Sequence, residues 1–130
     1  MIERGLGIAG RLLVAALFWW SGIFGVALAW ADTVGFVAAK GIPLPGLAAA
    51  GAGLFEVLVP FGLFHRRSGR WAALALAGYC VATALLFHDW WAYSGGARAG
   101  QTINFMKNLA LAGALLVLAS RPAAGGTARA

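Results

Sequence analysis

The amino-acid sequence predicts an all-α, membrane-embedded four-helix bundle with antiparallel helices and a short interfacial helix in the first outer loop. Of the 130 residues, 62% are hydrophobic and only 11% are charged, against about 25% charged residues in a typical soluble domain. The apolar residues also form four long stretches, at 12–31, 47–64, 71–87 and 103–119. A bilayer core requires roughly 17–25 residues of helix. Each stretch therefore predicts one membrane-spanning helix, within a single domain over 1–120.

The positive charges are distributed unequally and predict the orientation in the membrane. The N-terminus, the second loop and the tail carry seven arginines, whereas the first and third loops carry one basic residue each: Arg4, Arg11, Arg66, Arg67, Arg70, Arg121 and Arg129 against Lys40 and Arg98. The positive-inside rule then places both termini in the cytoplasm. The net charge of +6 is thus explained by topology, and no nucleic-acid partner is expected.

The first helix is expected over about 5–31. Ser21 and Gly25 lie four residues apart, a pair of small residues that lets a neighbouring helix approach closely. Trp19 and Trp20 are expected to fill space between helices. A cleaved signal peptide is the alternative, but its apolar region would be about 7–15 residues long, and this stretch has 20.

The first loop, "DTVGFVAAKGIPLPG", is too apolar for a flexible connector. Asp32 is expected to cap a short helix through Ala39, because its carboxylate can accept early backbone N–H groups. Gly41, Pro43 and Pro45 should then end that helix. We expect this short helix to rest in the outer membrane interface.

The second and third helices are expected over 47–64 and 70–87, joined by the very short loop "HRRSGR". Pro60 removes a backbone hydrogen bond and predicts a kink. Glu56 lies in mid-span, where an ionisable group costs about 2.5–3.5 kcal/mol, so it should face the interior. The lone Cys80 is interpreted as a small packing residue.

The fourth helix, expected over 101–119, carries a polar stripe in its first turns. Gln101, Asn104 and Asn108 are spaced by three and four residues and share a face, with Lys107 beside them. Counted from the outer side, Glu56 lies about 13 Å deep and Lys107 about 9 Å, which predicts a buried ion pair. Two interpretations remain open. The stripe either fixes helix packing, or lines an outward-open cavity for a small polar or quinone-like head group.

The third loop, "HDWWAYSGGARAGQ", follows the third helix and lies at the outer rim. His88, Asp89 and Trp90 open it, and its aromatic residues form either an interfacial belt or a ligand-stacking surface. His65 and His88 lie at opposite ends of one helix, which argues against a haem held by both. No metal site is expected, and no catalytic motif is recognisable, so the sequence leaves enzymatic activity undecided.

Four sequence blocks resemble the DoxX family of small four-span bacterial membrane proteins. They are "AAKGIP" (38–43), "LFEVLVPFGLF" (54–64), "ATALLFHDWW" (82–91) and "QTINFMKNLALAGALL" (101–116). Helix one departs from the family, in which a basic residue often comes shortly after the Ser-Gly pair, because this chain reads Ser21-Gly22-Ile23-Phe24-Gly25. The motif residues that carry over by position are Glu56, His88, Asp89, Trp90, Asn104, Lys107 and Asn108, with Gln101 beside His88 at the rim.

The resemblance implies a multi-pass protein of the bacterial inner membrane that acts in a quinone-linked redox or respiratory system. The family takes its name from a subunit associated with thiosulfate:quinone oxidoreduction, although many members have no assigned activity. No intrinsic cofactor is expected, and quinone is the ligand that the resemblance implies. Expected partners are membrane lipids and either further copies of the chain or a larger redox complex. The alternative is an assembly protein in which the buried ion pair only fixes the fold; a small-solute transporter is disfavoured because four short helices enclose little room.

Overall fold

Helices account for most of residues 2–120, the part of the chain that the computed structural model describes. That part contains no β-strand. The predicted cytoplasmic tail at 121–130 lies outside the described residues. In chain order the elements are α1 (Ile2–Trp20), a π-helical segment (Ser21–Ala27), α2 (Trp30–Ala39), α3 (Pro45–Leu58), a 3-10 segment (Val59–Phe64), α4 (Gly69–Phe87), a 3-10 turn (Trp90–Ala92) and α5 (Gly95–Ser120).

Four helical segments among these residues are long and apolar enough to cross a membrane: Ile2–Ala27, Pro45–Phe64, Gly69–Ala92 and Gly95–Ser120. The prediction of an all-α membrane protein with four spans is therefore confirmed. The last helix begins at Gly95, six residues before the expected start at Gln101. Only Gly95 adopts a positive φ there, at 56°, so one residue makes the turn, and the alanines and arginine that follow are good helix formers.

The chain divides into two compact units, Met1–His65 and Arg66–Ala130. Within the described residues, each unit holds two spanning helices that run antiparallel. In the first unit α1 packs on Val59–Phe64, and the π-helical segment packs on α3. In the second, α4 packs along α5. The single four-span domain over 1–120 stays a prediction.

The two spans of the first unit approach most closely at two glycines. A β carbon added to Gly22 would lie 2.9 Å from Val57 Cγ2 and 3.1 Å from the Gly53 carbonyl oxygen. One added to Gly53 would lie 2.9 Å from Val26 Cγ1. The expected contact residue Gly25 has only open surroundings, the nearest atom being Ser21 Oγ at 3.8 Å. The contact residue is therefore Gly22, about one helical turn before the predicted Gly25. The wider π turn changes which residues face the neighbouring span.

The Trp19 indole reaches the backbone of the neighbouring span beside Pro60. Val57 lies in the last turn of α3, three residues before Pro60 and just before the 3-10 segment. The Trp19 indole donates to this carbonyl at 3.0 Å, and its ring packs against Phe61 and Phe64 with centroids 4.9 and 6.4 Å away. The helix thus changes from α to 3-10 geometry beside Pro60, and a tryptophan from the neighbouring span donates to a carbonyl in the last turn of α3.

The short helix in the first loop begins at Trp30, two residues before the expected cap. Asp32 is therefore inside the first turn and is not the capping residue, which is Ala29, although a negative charge is favourable there. The Thr33 hydroxyl donates to the Gly25 carbonyl at 2.6 Å, which ties α2 to the π-helical segment. Gly41, with φ of 71°, follows the end of the helix as predicted.

Small residues line the buried face of α4 in the second unit. Ala73, Ala77, Cys80 and Ala84 are each at most 4% exposed, and Leu76 of α4 and Leu115 of α5 are fully buried. Small side chains at successive turns let two membrane helices approach closely, and such packing holds them together where lipid supplies little hydrophobic drive. Cys80 is a buried free cysteine, in agreement with its interpretation as a packing residue.

Candidate functional site

Two side-chain pairs connect α4 to α5 on the polar face of the second unit. His88, which ends α4, places Nδ1 at 2.9 Å from Gln101 Oε1. One to two turns deeper, Thr83 Oγ1 lies 3.3 Å from Asn108 Oδ1. Gln101 and Asn108 are seven residues apart in α5, about 10 Å along the helix axis. The pairs therefore form a short polar ladder from the end of the hairpin toward mid-span.

In the Thr83–Asn108 pair, each side chain also forms hydrogen bonds with the backbone of its own helix. The single Thr83 hydroxyl proton is shared, because Oγ1 also lies 2.9 Å from the Tyr79 carbonyl oxygen and 3.1 Å from that of Cys80. Asn108 Nδ2 donates to the Asn104 carbonyl at 3.1 Å. Both groups thus have local hydrogen bonds as well as the contact between helices, and their positions are fixed before any ligand is considered.

The four residues of the predicted polar stripe differ in accessibility. Gln101 and Asn108 are half-buried, whereas Asn104 and Lys107 are exposed. Within the second unit only two of the four therefore lie at the contact with α4, and the expectation that the stripe turns inward toward Glu56 stays a prediction. Helix geometry explains why Lys107 is exposed. Successive residues are about 100° apart around the helix axis, so Lys107 points away from α4 when Asn108 contacts it. Its amine remains available to bind a ligand or a lipid.

Aromatic side chains cover the end of the hairpin beside the His88–Gln101 pair. Trp90 and Trp91 pack edge to face with centroids 5.8 Å apart, and Trp91 packs edge to face on Phe105 at 6.1 Å. The Arg98 guanidinium lies 5.0 Å from the Trp90 ring centroid, within range of a cation–π contact. Asp89 precedes the 3-10 turn, and its carbonyl accepts from the Ala92 amide at 2.9 Å. Both interpretations of this loop, an interfacial belt or a stacking surface, remain predictions.

Glu56 lies in the first unit and is 6% exposed. Its Cβ lies 3.1 Å from the position that a β carbon on Gly22 would occupy, so the carboxylate-bearing turn of α3 packs directly on the π-helical segment. The predicted burial of this residue is confirmed. Its predicted pairing with Lys107 joins residues of the two units and stays a prediction.

Sequence reasoning missed three residues that the structure places in these contacts. Thr83 lies on a helix without other polar neighbours, and a lone threonine in an apolar stretch gives no pattern to detect. Thr33 and Gly22 become contact residues only through the π-helical segment.

Within residues 2–120, no group of three or more His, Cys, Asp or Glu side chains is arranged to hold a metal ion.

These features define a class: a multi-pass helical membrane protein with polar side chains in its spans. The DoxX family model matches residues 7–89, more than half of the chain, and the chain belongs to the DoxX family. The match includes Glu56, His88 and Asp89 but ends before the polar stripe of α5.

A curated relative extends the comparison along the chain. The chain is similar to the inner membrane protein YphA of Escherichia coli (strain K12), with 34% identity over 116 residues, or 86% of this chain and 79% of that protein. No solved structure matches the chain.

Proposed function

We propose that this DoxX-family protein is a subunit or accessory of a quinone-linked redox or respiratory system, and that the polar ladder of α4 and α5 contacts a quinone-like head group. The proposal includes the orientation suggested by the charge distribution, with both termini in the cytoplasm and the His88 end of the hairpin at the outer face. The chain itself carries no recognisable catalytic motif, so electron transfer would belong to a partner protein.

The observation that carries the proposal is the presence of an exposed cation on α5 beside the hydrogen-bonding groups of the ladder. A quinone offers two carbonyl oxygens, which accept hydrogen bonds. The Lys107 amine and the Asn104 amide are exposed donors, and the His88–Gln101 contact of 2.9 Å holds an imidazole close by. Polar and charged side chains within membrane spans are costly and commonly mark ligand or proton pathways.

The test is to identify small molecules that remain bound to the purified protein. Protein extracted in mild detergent is analysed for quinones by mass spectrometry, in the wild type and in Lys107→Met. A hydrogen bond from a charged donor contributes about 1.5–3 kcal/mol, so the variant should retain quinone at least about tenfold less. Met106→Ala is the matched control, because Met106 is the preceding residue on α5 and is 58% exposed. Wild-type protein without quinone, or equal retention in both variants, contradicts the proposal.

A second candidate is an assembly role in which the polar ladder only holds the hairpin together. It is favoured by the Thr83–Asn108 contact, since both side chains also bond to their own helices. In that case Asn108→Leu lowers the amount of folded protein in the membrane. Quinone retention, corrected for the amount of folded protein, is then the same in every variant. Blue-native electrophoresis of membrane extracts would show whether Asn108→Leu also lowers the amount of a larger complex.

A further inference from the structure

Three arginines form an exposed cluster where α4 begins. Arg66, Arg67 and Arg70 are all exposed, and they are called the arginine patch below. The patch lies within the second unit, at the end of α4 opposite to His88. It takes no part in the polar ladder and does not rest on the proposed function.

The charge of the patch is not compensated by nearby acidic residues of its unit. The first turn of α4 contains no acidic residue. Among the described residues 66–120, Asp89 is the one acidic side chain, and it follows the far end of the 19-residue helix, about 28 Å away along the axis. The patch therefore holds three positive charges together with no carboxylate of the same unit beside them.

The start of the helix adds to this positive potential. Backbone dipoles give a helix N-terminus roughly half a positive charge, and anions are stabilised there while cations are not. Ser68 precedes the helix and makes no capping hydrogen bond to it from its side chain. Placing arginines at this end is unfavourable within an isolated chain, and an anion bound between them would remove the repulsion.

The surroundings indicate that this anion belongs to a lipid. Trp71 is 69% exposed and sits at the first turn of a membrane-spanning helix, the position in which tryptophan lies at head-group level. The Arg70 guanidinium lies 5.9 Å from the Trp71 ring centroid, which holds it beside the interface. Guanidinium groups bind phosphate oxygens in a bidentate manner that an ammonium group cannot reproduce.

We infer that the arginine patch is a binding site for the phosphate head group of an anionic glycerophospholipid. The phosphodiester would accept hydrogen bonds from the arginines, and the acyl chains would lie along the apolar surface of α4 next to Trp71. Orientation of the protein requires only positive charge, whereas this site also requires the arginines to act together on one lipid.

The inference is tested by native mass spectrometry of the full chain released from micelles containing equal amounts of phosphatidylglycerol and phosphatidylcholine. The wild type should retain phosphatidylglycerol preferentially. Each basic residue near a membrane surface contributes about fivefold to binding of anionic lipid, so Arg66→Gln, Arg67→Gln and Arg70→Gln combined should reduce retention by about a hundredfold. Retention of phosphatidylcholine should not change.

Arg4→Gln is the matched control, because Arg4 is an exposed arginine in the first turn of another spanning helix, where Glu3 accompanies it. This control should retain phosphatidylglycerol like the wild type. Millimolar inorganic phosphate should not displace the lipid. If the triple variant does not accumulate, Arg67→Gln alone should show the fivefold loss.

Three results would overturn the inference. They are unchanged phosphatidylglycerol retention in the arginine variants, an equal loss in Arg4→Gln, and full displacement of the lipid by phosphate alone.

Discussion

The contact between Gly22 and Gly53 makes a sharp prediction, because two neighbouring glycines of α3 differ only in their surroundings. A β carbon on Gly53 would lie 2.9 and 3.3 Å from Val26 Cγ1 and Cβ, whereas one on Gly51 would meet no atom within 4 Å. Val26 is buried and β-branched, so its side chain has one strongly preferred rotamer in a helix. It cannot easily move away from an added methyl group.

The expected magnitude follows from two opposing terms. Replacing glycine by alanine in a helix is worth about 1 kcal/mol in favour of folding, and this gain is the same for both positions. Adding a methyl group to a tightly packed contact costs about 1–3 kcal/mol, and this cost applies only to Gly53→Ala. The free energy of unfolding of Gly53→Ala should therefore lie about 1–3 kcal/mol below that of Gly51→Ala.

The assay is reversible unfolding of each purified variant from mixed micelles by increasing mole fraction of sodium dodecyl sulfate, followed by circular dichroism. The comparison between the two variants cancels the helix propensity and leaves the steric term. A difference smaller than about 0.5 kcal/mol, the range of an ordinary surface substitution, would show that α3 does not pack on the π-helical segment at Gly53.

Substitutions at three further positions test separate structural features by the same unfolding measurement. Trp19→Phe keeps an aromatic ring but removes the indole hydrogen bond to the Val57 carbonyl, which should cost about 0.5–1.5 kcal/mol; an unchanged free energy of unfolding would argue against that hydrogen bond. Thr83→Val should lower stability by about 0.6 kcal/mol, a typical value for a polar contact between membrane helices, while Thr83→Ser should not. Leu44 adopts a left-handed φ of 51°, which costs a non-glycine residue about 1–2 kcal/mol, so Leu44→Gly should raise the unfolding free energy, and a loss of stability would argue against that backbone conformation.

Particular residues show how far the sequence predicted the candidate site. The spacing of Gln101, Asn104 and Asn108 predicted a polar face on the last helix, and the structure brings Gln101 to His88 and Asn108 to Thr83. Spacing did not reveal that Asn104 and Lys107 remain exposed. Side-chain periodicity gives the relative angles of residues around one helix, but the rotation of that helix against its neighbour is set by packing.

The sequence by itself determined the class of protein, the four spans and the end of the short loop helix just before Gly41. Hydropathy, chain length and the backbone preferences of glycine are local properties, so they add up along the chain without knowledge of any contact. The tertiary structure alone decided that Gly22, and not Gly25, meets the neighbouring span, and that Trp19 donates to the Val57 carbonyl. The first depends on the π-helical segment, because a change of hydrogen-bond register within one helix re-aims each side chain that follows. The second depends on how the two spans of the first unit pack, because residues that meet across a helix pair are distant in sequence.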